Sequence, residues 1–391
     1  MKKGLIIIIG LLALIAGIFT GFFFTEILPK LNNNVKTEEK KKEEVKKEPV
    51  VKTYKASLFA VGDALIHNGV YIDANTYKKD SNGYYIYDFH KMFTDIKDIV
   101  KDYDLAFYNQ ETIIGGKNLG LSNYPCFNSP DEIGENLVDI GFNMVNLSTN
   151  HSKDKGITGL KYSSKFWEDQ KDVYAVGSYT SKEKKEEARY KTVNGINYAL
   201  LGYSTVTNGF TISDSESYYW DLYDKEKVKN DIEKIKDKVD VIIVSMHWGT
   251  EYTHVPTAEE REIASYLSSL GVDIIIGHHP HVIQPIEYVG DTLVIYSLGN
   301  FISAQDGTMK RVGMMASLDI NKTVTDGKTT SVTIDNVKGD LIWTYHQNYK
   351  NFKVIPFNKL DNTKLNGYQS IYDQYKKIIN KTNDSRIQTG F

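Results

Sequence analysis

The chain has 391 residues, of which 41% are hydrophobic, and its formal net charge is −3. This length and composition are sufficient for a sizeable core, and the absence of a basic excess argues against a nucleic-acid partner. Cys126 is the only cysteine, so an intramolecular disulfide is excluded. Stability must therefore come from core burial, to which a bound metal can add.

The N-terminus carries a long apolar run. Lys2 and Lys3 precede an unbroken apolar stretch from Gly4 to Phe24, long enough to span ~30 Å of hydrocarbon as a helix. The alternative is a cleaved signal peptide, which would have a shorter apolar core followed by a small-x-small cleavage site. We therefore predict a cytoplasmic tip and a single-pass signal anchor in residues 1–31. The main domain would then lie outside the cytoplasmic membrane.

A polar segment follows the apolar run. Residues 32–53 consist mainly of Asn, Lys, Glu and Val, which are too polar to bury a core and too charged to collapse. We predict a charged linker here, then a folded domain in residues 54–357. Residues 358–391 are polar with weak periodicity, which predicts a peripheral helix and a loose C-terminal tail.

In the folded part, apolar runs alternate with amphipathic segments, a pattern typical of βαβ units in a layered α/β protein. The predicted strands are Ser57–Val61, Leu105–Tyr108, Asn143–Leu147, Tyr198–Tyr203, Val241–Met246, Asp273–Ile276 and Leu293–Tyr296. The predicted helices are Phe89–Val100, Glu132–Ile140, Gly159–Gln170, Glu226–Val239 and Ala258–Leu270. Near the end, Val312–Ile320, Ser331–Val337 and Leu341–Tyr345 alternate like antiparallel strands and are expected to complete a second sheet.

Polar side chains follow one predicted strand after another. In open α/β sheets, ligands bind outside the carboxyl ends of the strands. The residues at these ends are Asp63, His67, Glu111, Asn150, His151, Asp154, His247, His278, His279 and His281. Imidazole, carboxylate and amide oxygen together suit Mn, Fe or Zn, and two such ions can share a bridging carboxylate. The sequence therefore predicts a site for two divalent metal ions.

Each of these residues also has an ordinary structural explanation. A single histidine after a strand is more often a satisfied packing residue, and Asn150 is a suitable helix cap. Glu111 has the alternative of a solvated loop carboxylate. Five such strand endings in one chain are hard to explain separately, and Pro280 fixes the turn between His279 and His281. The set as a whole favours a metal site.

The chain resembles the capsule synthesis protein family called CapA or PgsA, which is linked to poly-γ-glutamate and belongs to the calcineurin-like metallophosphoesterase superfamily. The similarity covers about Tyr54 to Ile302. The matching strings are Gly62-Asp63, Asn109-Gln110-Glu111, Thr149-Asn150-His151, His247 to Tyr252, Gly277 to Pro285 and Tyr296 to Phe301. The resemblance implies a four-layer αββα sandwich of the metallo-dependent phosphatase type.

By position, the resemblance implies metal ligands, to which His67 is added as a further candidate. The implied ligands are Asp63, Glu111, Asn150, His151, His247, His279 and His281, with His278 as a neighbour. There are two departures from the superfamily pattern. Leu65 stands where a histidine is usual, and Glu111 replaces the usual bridging Asp.

Catalytic and substrate-binding roles follow from the same positions. The predicted catalytic residues are Asp63, Asn150, His151, His247 and Glu251, the last as a general acid or base. The predicted substrate wall consists of Trp248, Tyr252, Gln284 and Asn300, which offer hydrogen-bonding groups and an aromatic face to a peptide-like chain. Ordinary loop packing is the alternative for Trp248.

Two functions are compatible with these residues. The first is a metal-dependent hydrolase or transferase that acts during synthesis, export or anchoring of anionic polyglutamate. The second is a non-catalytic accessory protein that binds the polymer or a membrane-bound synthase subunit and has a structural or vestigial metal site. The departures at Leu65 and Glu111 favour the accessory protein, whereas the full ligand set favours the enzyme.

Overall fold

The computed structural model describes residues 2–27, 30 and 48–391. These residues fall into two compact units, Met1–Pro49 and Val50–Phe391. Most of the predicted linker, residues 32–47, lies outside the described residues.

The first unit contains helix α1 (Lys2–Phe22), which continues as a π-helical segment, Phe23–Ile27. The stretch Ile7–Ile27 is long and apolar enough to cross a membrane. This property rests on length and composition, which signal sequences share. The described residues therefore contain one candidate N-terminal apolar helix, in the region where the anchor is predicted.

The second unit alternates strands and helices. Its strands are β1 (Val51–Ala64), β2 (Asn75–Lys79), β3 (Tyr85–Tyr87), β4 (Leu105–Asn109), β5 (Met144–Asn146), β6 (Tyr174–Val176), β7 (Lys191–Val193), β8 (Ile196–Ser204), β9 (Val241–His247), β10 (Ile274–His278), β11 (Ile286–Val289), β12 (Thr292–Ile295), β13 (Asn300–Ile302), β14 (Val312–Thr325), β15 (Lys328–Gln347), β16 (Lys350–Pro356) and β17 (Ile387–Thr389). Its helices are α2 (Asn68–Ala74), α3 (Lys97–Lys101), α4 (Glu132–Asp139), α5 (Gly156–Asp169), α6 (Lys182–Glu186), α7 (Lys225–Ile235), α8 (Ala258–Ser269), α9 (Thr308–Arg311) and α10 (Tyr368–Ile379).

Two large sheets form the centre of this unit. The first has the strand order β16-β15-β14-β1-β4-β5-β6, with β13 beside β1 and β17 beside β15. The second has the order β11-β12-β10-β9-β8-β7. The run β1-β4-β5-β6 is parallel, as is β8-β9-β10-β12. Each sheet thus presents several strand carboxyl ends at one edge, which is where ligand sites form in α/β proteins.

The layers follow from the two-residue period of the strands. In β1, Leu58 points into a core shared by both sheets, whereas Phe59 belongs to a cluster on the opposite face. In β9, Ile243 enters the same shared core and Val244 packs on the outer side. Helices α4 and α5 cover the outer face of the first sheet, and α7 and α8 cover that of the second. The order of layers is helix, sheet, sheet, helix.

The helix predicted over Phe89–Val100 is wrong. The segment forms a 3₁₀ turn at His90–Met92, bends, and becomes helical again only in α3. Its apolar side chains make tertiary contacts that a continuous helix would not provide. Phe93, for example, stacks on Phe301 with ring centroids 5.3 Å apart. Packing has overridden local helix propensity here.

The C-terminal part also differs from its prediction. Strand β15 is continuous through the predicted break, and the C-terminal strands extend the sheet of β1 instead of completing the other sheet. Gly339 does not mark a turn: a Cβ there would lie 2.5 Å from Cγ2 of Ile379, so glycine lets α10 approach the strand. The end of the chain is not loose, because β17 pairs with β15.

Candidate metal centre

The strand registers bring the predicted polar residues together. In the first sheet, Asp63 stands opposite Asn109, and Asn109 opposite Asn146. In the second sheet, His247 stands opposite His278. The two sheets meet at these ends, since Nδ2 of Asn109 lies 3.4 Å from Nδ1 of His247. Parallel pairing and the contact between the sheets thus collect residues that are far apart in sequence.

Three groups of side chains have ligand atoms within 4.8 Å of one another. They are Glu111, His247 and His279; Asp63, Glu111 and His281; and Glu251, His279 and His281. Glu111 belongs to two groups, as a bridging ligand would. Asn150 joins the first of them, because its Oδ1 is 2.9 Å from Nε2 of His247.

The polar atoms of this cluster fit a divalent cation. Glu111 is fully buried, and neither of its carboxylate oxygens has a hydrogen-bond partner among the described residues. Nδ1 of His279 and both ring nitrogens of His278 also lack one there. A buried carboxylate without a hydrogen bond is costly, and the nearest positive group, Nε2 of His281, lies 3.5 Å from Glu111 Oε1. A cation among these oxygen and nitrogen atoms would supply the partner, and the donor set suits Mn, Fe or Zn.

Burial also determines how these groups hold protons. It raises the pKa of Glu111 well above its ordinary value, although the charge of His281 opposes this. Burial lowers the pKa of His247 well below its ordinary value and that of His279 to about 4. Both rings are therefore neutral near pH 7, which is the form that binds metals.

His281 and Asp63 behave differently from the other groups. Burial lowers the pKa of His281, but the charges of Glu111 and Asp63 outweigh it and raise this pKa to about 9. Burial raises the pKa of Asp63, but its hydrogen bond with His281 and the charges of His278 and His281 bring this pKa below its ordinary value. The carboxylates of Glu111 and Asp63 thus stabilise a positive charge on His281.

The turn that carries His279 and His281 is strained. Their φ angles are 98° and 56°, in the left-handed region that costs a non-glycine residue about 1–3 kcal/mol. The turn is held from outside, because Tyr252 N–H donates to the Pro280 carbonyl over 2.8 Å. Strain of this kind clusters at functional sites, where it fixes the directions of side chains.

Two asparagines that were not predicted support Asp63. Asn109 Nδ2 donates to Asp63 Oδ1 over 2.8 Å, and Asn146 Nδ2 donates to Asn109 Oδ1 over 2.8 Å. Both amides are fully buried. Each asparagine ends an otherwise apolar strand, and that is the signal from which the sequence could have identified them.

His151 lies at the edge of the cluster and belongs to none of the three ligand groups. Its Nδ1 is 2.8 Å from Oδ2 of Asp154, which also accepts the Phe127 N–H over 2.7 Å. The Asp154 carboxylate therefore orients the ring and favours a proton on Nδ1. This arrangement suits a group that moves a proton at Nε2.

His67 also lies outside the three groups. Its Nδ1 is 3.1 Å from the Leu65 carbonyl and accepts the Ala304 N–H at 3.3 Å. Burial lowers the pKa of His67 to about 4. Leu65, which stands at the position of the usual histidine, is itself buried.

A cleft of about 460 Å³ lies in front of the cluster. Its wall includes His67, His151, Glu251, Tyr252 and His281. The Glu251 carboxylate is 40% exposed and lies 4.0 Å from Nε2 of His281, at the mouth of the centre. The cleft therefore gives a substrate access to the cluster.

Of the predicted substrate wall, Tyr252 lines this cleft. Trp248 does not: it is 1% exposed, it packs in the cluster beneath α7 and α8, and its Nε1 donates to the Tyr296 carbonyl over 3.0 Å. This position favours the packing explanation for Trp248.

Gln284 and Asn300 are also buried away from the cleft wall. Gln284 Nε2 donates to the Thr253 carbonyl over 3.0 Å. Asn300 Oδ1 lies 3.1 Å from Nδ1 of His281. Asn300 is thus placed to orient a candidate ligand.

Comparisons with known proteins agree with the motifs at this site. Residues 57–305 match the family described as bacterial capsule synthesis protein PGA_cap. The PGA biosynthesis protein CapA of Bacillus subtilis (strain 168) is 30% identical over 281 residues, which cover 70% of this chain and 71% of that protein. The capsule biosynthesis protein CapA of Bacillus anthracis is 31% identical over 196 residues, 49% of this chain and 46% of that protein. A probable polyglutamine synthesis accessory protein of Mycobacterium tuberculosis is 31% identical over 68 residues, 17% of this chain and 18% of that protein.

The family match spans more than half of the chain, and its ends enclose the residues of the cluster from Asp63 to Asn300. The resemblance predicted from the strand-end motifs is thereby confirmed. The chain belongs to the PGA_cap family of bacterial capsule synthesis proteins.

Proposed function

We propose that this chain is a membrane-anchored, extracellular component of poly-γ-glutamate capsule synthesis, export or anchoring, and that it acts as a metal-dependent hydrolase or transferase. Membership of the PGA_cap family supports the role in capsule synthesis. The partners in this proposal are the polymer and membrane-bound synthase subunits. The apolar stretch Ile7–Ile27 supports a single-pass anchor with its N-terminus in the cytoplasm.

The proposal extends to the fold and the domain arrangement. The layer order helix, sheet, sheet, helix supports an αββα sandwich of the metallo-dependent phosphatase type. In this arrangement residues 1–31 form the anchor, and the linker predicted at 32–53 ends before β1, which begins at Val51. The catalytic domain then extends to residue 357, with 358–391 as its C-terminal extension. The packing of α10 and β17 on β15 ties that extension to the domain.

The observation that carries the proposal is the environment of Glu111. Its two oxygens are buried without hydrogen-bond partners among the described residues, and they lie between two sets of ligand atoms. One ion would be held by Asp63, Glu111 and His281. A second would be held by Glu111, His247 and His279, with Asn150 beside it. A bridging carboxylate is typical of centres with two divalent ions.

Such ions, when bound, supply Lewis-acid polarisation of a phosphoryl or carbonyl oxygen and activation of water. The residues of the chain then position the substrate and move protons. Asp154 orients the ring of His151, so that Nε2 of His151 is placed to give a proton to a leaving group. Glu251, at the mouth of the centre, is placed to accept one. Tyr252 offers an aromatic face beside them, with Lys310 Nζ 5.1 Å from its ring centroid.

A non-catalytic accessory role is the second candidate, and the burial of Leu65 favours it. Leu65 occupies the position of a usual ligand and offers no donor atom, and His67 is engaged with backbone groups. One metal position would then be weaker than the other. In this case the centre would serve structure or polymer binding.

The test compares full-length wild type with His247→Ala, using His90→Ala as the matched control because His90 lies outside the cluster and pairs with Asp88. Metal content is measured by mass spectrometry of detergent-purified protein. Hydrolysis is measured on a phosphodiester and on a γ-linked glutamate oligomer. We expect about two ions per chain in wild type and in His90→Ala, and a loss of one ion and about a hundredfold in rate in His247→Ala.

Equal metal content in wild type and His247→Ala would refute the metal centre. To separate enzyme from accessory, a His279→Ala, His281→Ala double variant is expressed in capsule-producing cells. Normal polymer export by this folded variant would support the accessory role and exclude the enzyme.

A further inference from the structure

A second cleft, here called the edge cleft, lies beside β6, the last strand of its sheet. Its volume is about 210 Å³, and the end of α5, strand β6 and the segment after α6 contribute to its walls. No residue that lines it also lines the cleft of the metal centre. The edge cleft is therefore a separate feature, and neither the sequence motifs nor the metal centre explains it.

The edge cleft carries an excess of unpaired positive charge. Its two acidic side chains are already engaged: Glu168 accepts a hydrogen bond from Thr180 Oγ1 over 3.1 Å, and Glu187 lies 3.8 Å from Lys184 Nζ. The cleft also contains Lys171, Arg189 and Lys191, none of which forms an ion pair with a carboxylate in the described part of the chain. With four cations and two carboxylates in its walls, the cleft keeps a net positive charge for an outside anion.

Arg189 is held in place for such an anion. Its guanidinium carbon lies 5.2 Å from the ring centroid of Tyr174 and 5.5 Å from that of Tyr179, and both rings are buried. Cation–π contacts position the guanidinium without using its N–H donors. A fixed guanidinium can bind a carboxylate with two parallel hydrogen bonds, which a lysine cannot do.

Two buried donors in the same cleft also lack partners. Trp167 is 2% exposed and Ser178 is 7% exposed, and Trp167 Nε1 and Ser178 Oγ have no hydrogen-bond partner in the part of the chain that the structure describes. An indole N–H can only donate, so it needs an acceptor. These two atoms are closed to solvent, so the unpaired cations and the fixed Arg189 are what point to an anionic ligand.

We propose that the edge cleft binds the free α-carboxylates of the γ-linked polyglutamate chain, with Arg189 as the main anchor. Polyglutamate presents a carboxylate at every residue, so a flexible segment can place one on Arg189 and another near Lys171 or Lys191. The proposal rests on the role in polyglutamate capsule synthesis put forward above, but it is independent of metal binding and of catalysis. The cleft would hold the polymer at a second point, away from the metal centre.

The test uses full-length protein in detergent at low salt and a fluorescent γ-linked glutamate oligomer as the probe, with binding followed by anisotropy. A chelator is present, so that metal-dependent binding at the other cleft does not contribute. Arg189→Gln should weaken binding about tenfold or more, because it removes the charge and the paired donors. Arg189→Lys should weaken it less, because it keeps the charge. Lys328→Gln, at an exposed hairpin end, is the matched control and should bind like wild type.

Lys171→Gln provides a variant that leaves Arg189 in place, and it should weaken binding by a few-fold. Thermal melting verifies that every variant is folded. Wild-type affinity in folded Arg189→Gln would overturn the proposal. So would a stronger competition for the probe by inorganic polyphosphate than by unlabelled polyglutamate of equal charge, since the cleft would then be a phosphate site.

The same variants separate this proposal from the metal-centre proposal. His247→Ala should bind the oligomer like wild type, because its substitution leaves the edge cleft unchanged. If Arg189→Gln loses oligomer binding and the wild-type protein contains no metal, the edge-cleft proposal stands and only the metal-centre proposal is refuted. Metal-dependent hydrolysis with unchanged binding in Arg189→Gln would refute only the edge cleft.

Discussion

The candidate metal centre and the edge cleft both contain polar groups that lack partners, but the groups are of opposite charge. In the metal centre the clearest ones are acceptors, the carboxylate oxygens of Glu111. In the edge cleft they are the cations Lys171, Arg189 and Lys191, which form no ion pair among the described residues. Because a buried polar group costs free energy until it is paired, the kind of group left over indicates the charge of the ligand. The comparison therefore points to a cation in one region and an anion in the other.

The two regions also differ in how they are built. The candidate metal centre lies at the ends of interior strands from both sheets, and the turn that carries His279 and His281 is strained and held by the backbone contact of Tyr252. The edge cleft lies beside an edge strand and the five-residue helix α6. Charges near the surface are screened by salt, whereas deeply buried ones are screened much less. Affinity in the edge cleft should thus depend on salt more strongly than metal affinity does.

The largest effect is expected for Glu111→Gln. This substitution should raise the thermal stability of the protein without metal and lower it, relative to wild type, with metal. Without metal, the variant should melt at a higher temperature than wild type, because the cost of burying the Glu111 carboxylate exceeds its attraction to His281, as its raised pKa indicates. With metal at about a hundred times its dissociation constant, wild type should gain about 3 kcal/mol and the variant much less. Thermal melting with chelator and with added Mn²⁺ or Zn²⁺ measures both. Glu233→Gln, an exposed acid on α7, is the control. An identical response to metal in Glu111→Gln and wild type would break the comparison.

The next effect concerns Asp154→Asn, which changes the partner of His151 without touching a proposed bridging ligand. The amide holds the ring in its orientation poorly, so kcat should fall about tenfold to a hundredfold. Metal content should stay at the wild-type level, as measured on the same preparation. If metal content falls in parallel with kcat, His151 acts as a ligand and its assignment as a proton donor is wrong.

A smaller effect is expected from Thr257→Ala, which lies in neither region. Thr257 Oγ1 accepts the Glu260 N–H over 3.1 Å, and Glu260 Oε2 accepts the Thr257 N–H over 2.6 Å, forming the capping box of α8. Its loss should cost about 1 kcal/mol of stability. Metal content and oligomer binding should not change. If metal content or oligomer binding drops at a temperature where the variant is folded, the site concerned depends on α8 although no residue of α8 belongs to it.

The smallest effect concerns Lys191→Gln in the edge cleft. Burial and the charge of Arg189 lower the pKa of Lys191, so the two cations repel each other until an anion is present. Removing Lys191 should weaken oligomer binding only about threefold, because a partly exposed charge contributes modestly. The variant should also show a smaller decrease in affinity between low and physiological salt. If the salt dependence of oligomer affinity is the same in Lys191→Gln and wild type, the oligomer does not bind near Lys191.

Much of the candidate metal centre could be predicted from the sequence. Strands such as β9 and β10 are continuous apolar runs, and the polar residues that follow them stand out for that reason. Asp63, Glu111, Asn150, His247, His279 and His281 are indeed brought together. The sequence could not distinguish candidate ligands from the residues that orient them. His67 and Asn300 both have the chemistry of a ligand, but His67 contacts backbone groups and Asn300 Oδ1 lies beside Nδ1 of His281.

The sequence determined the strand-end chemistry and the family, because both depend on residue types in a particular order along the chain. The tertiary structure decided the rest. It split the predicted Phe89–Val100 helix, paired β17 with β15, and placed Trp248 in the core beneath the helices instead of in the cleft. It also formed the edge cleft, which Trp167 and Arg189 both line beside a strand of three residues. Such features depend on which groups are left without partners after packing, and that is a property of the folded chain and not of any local stretch of it.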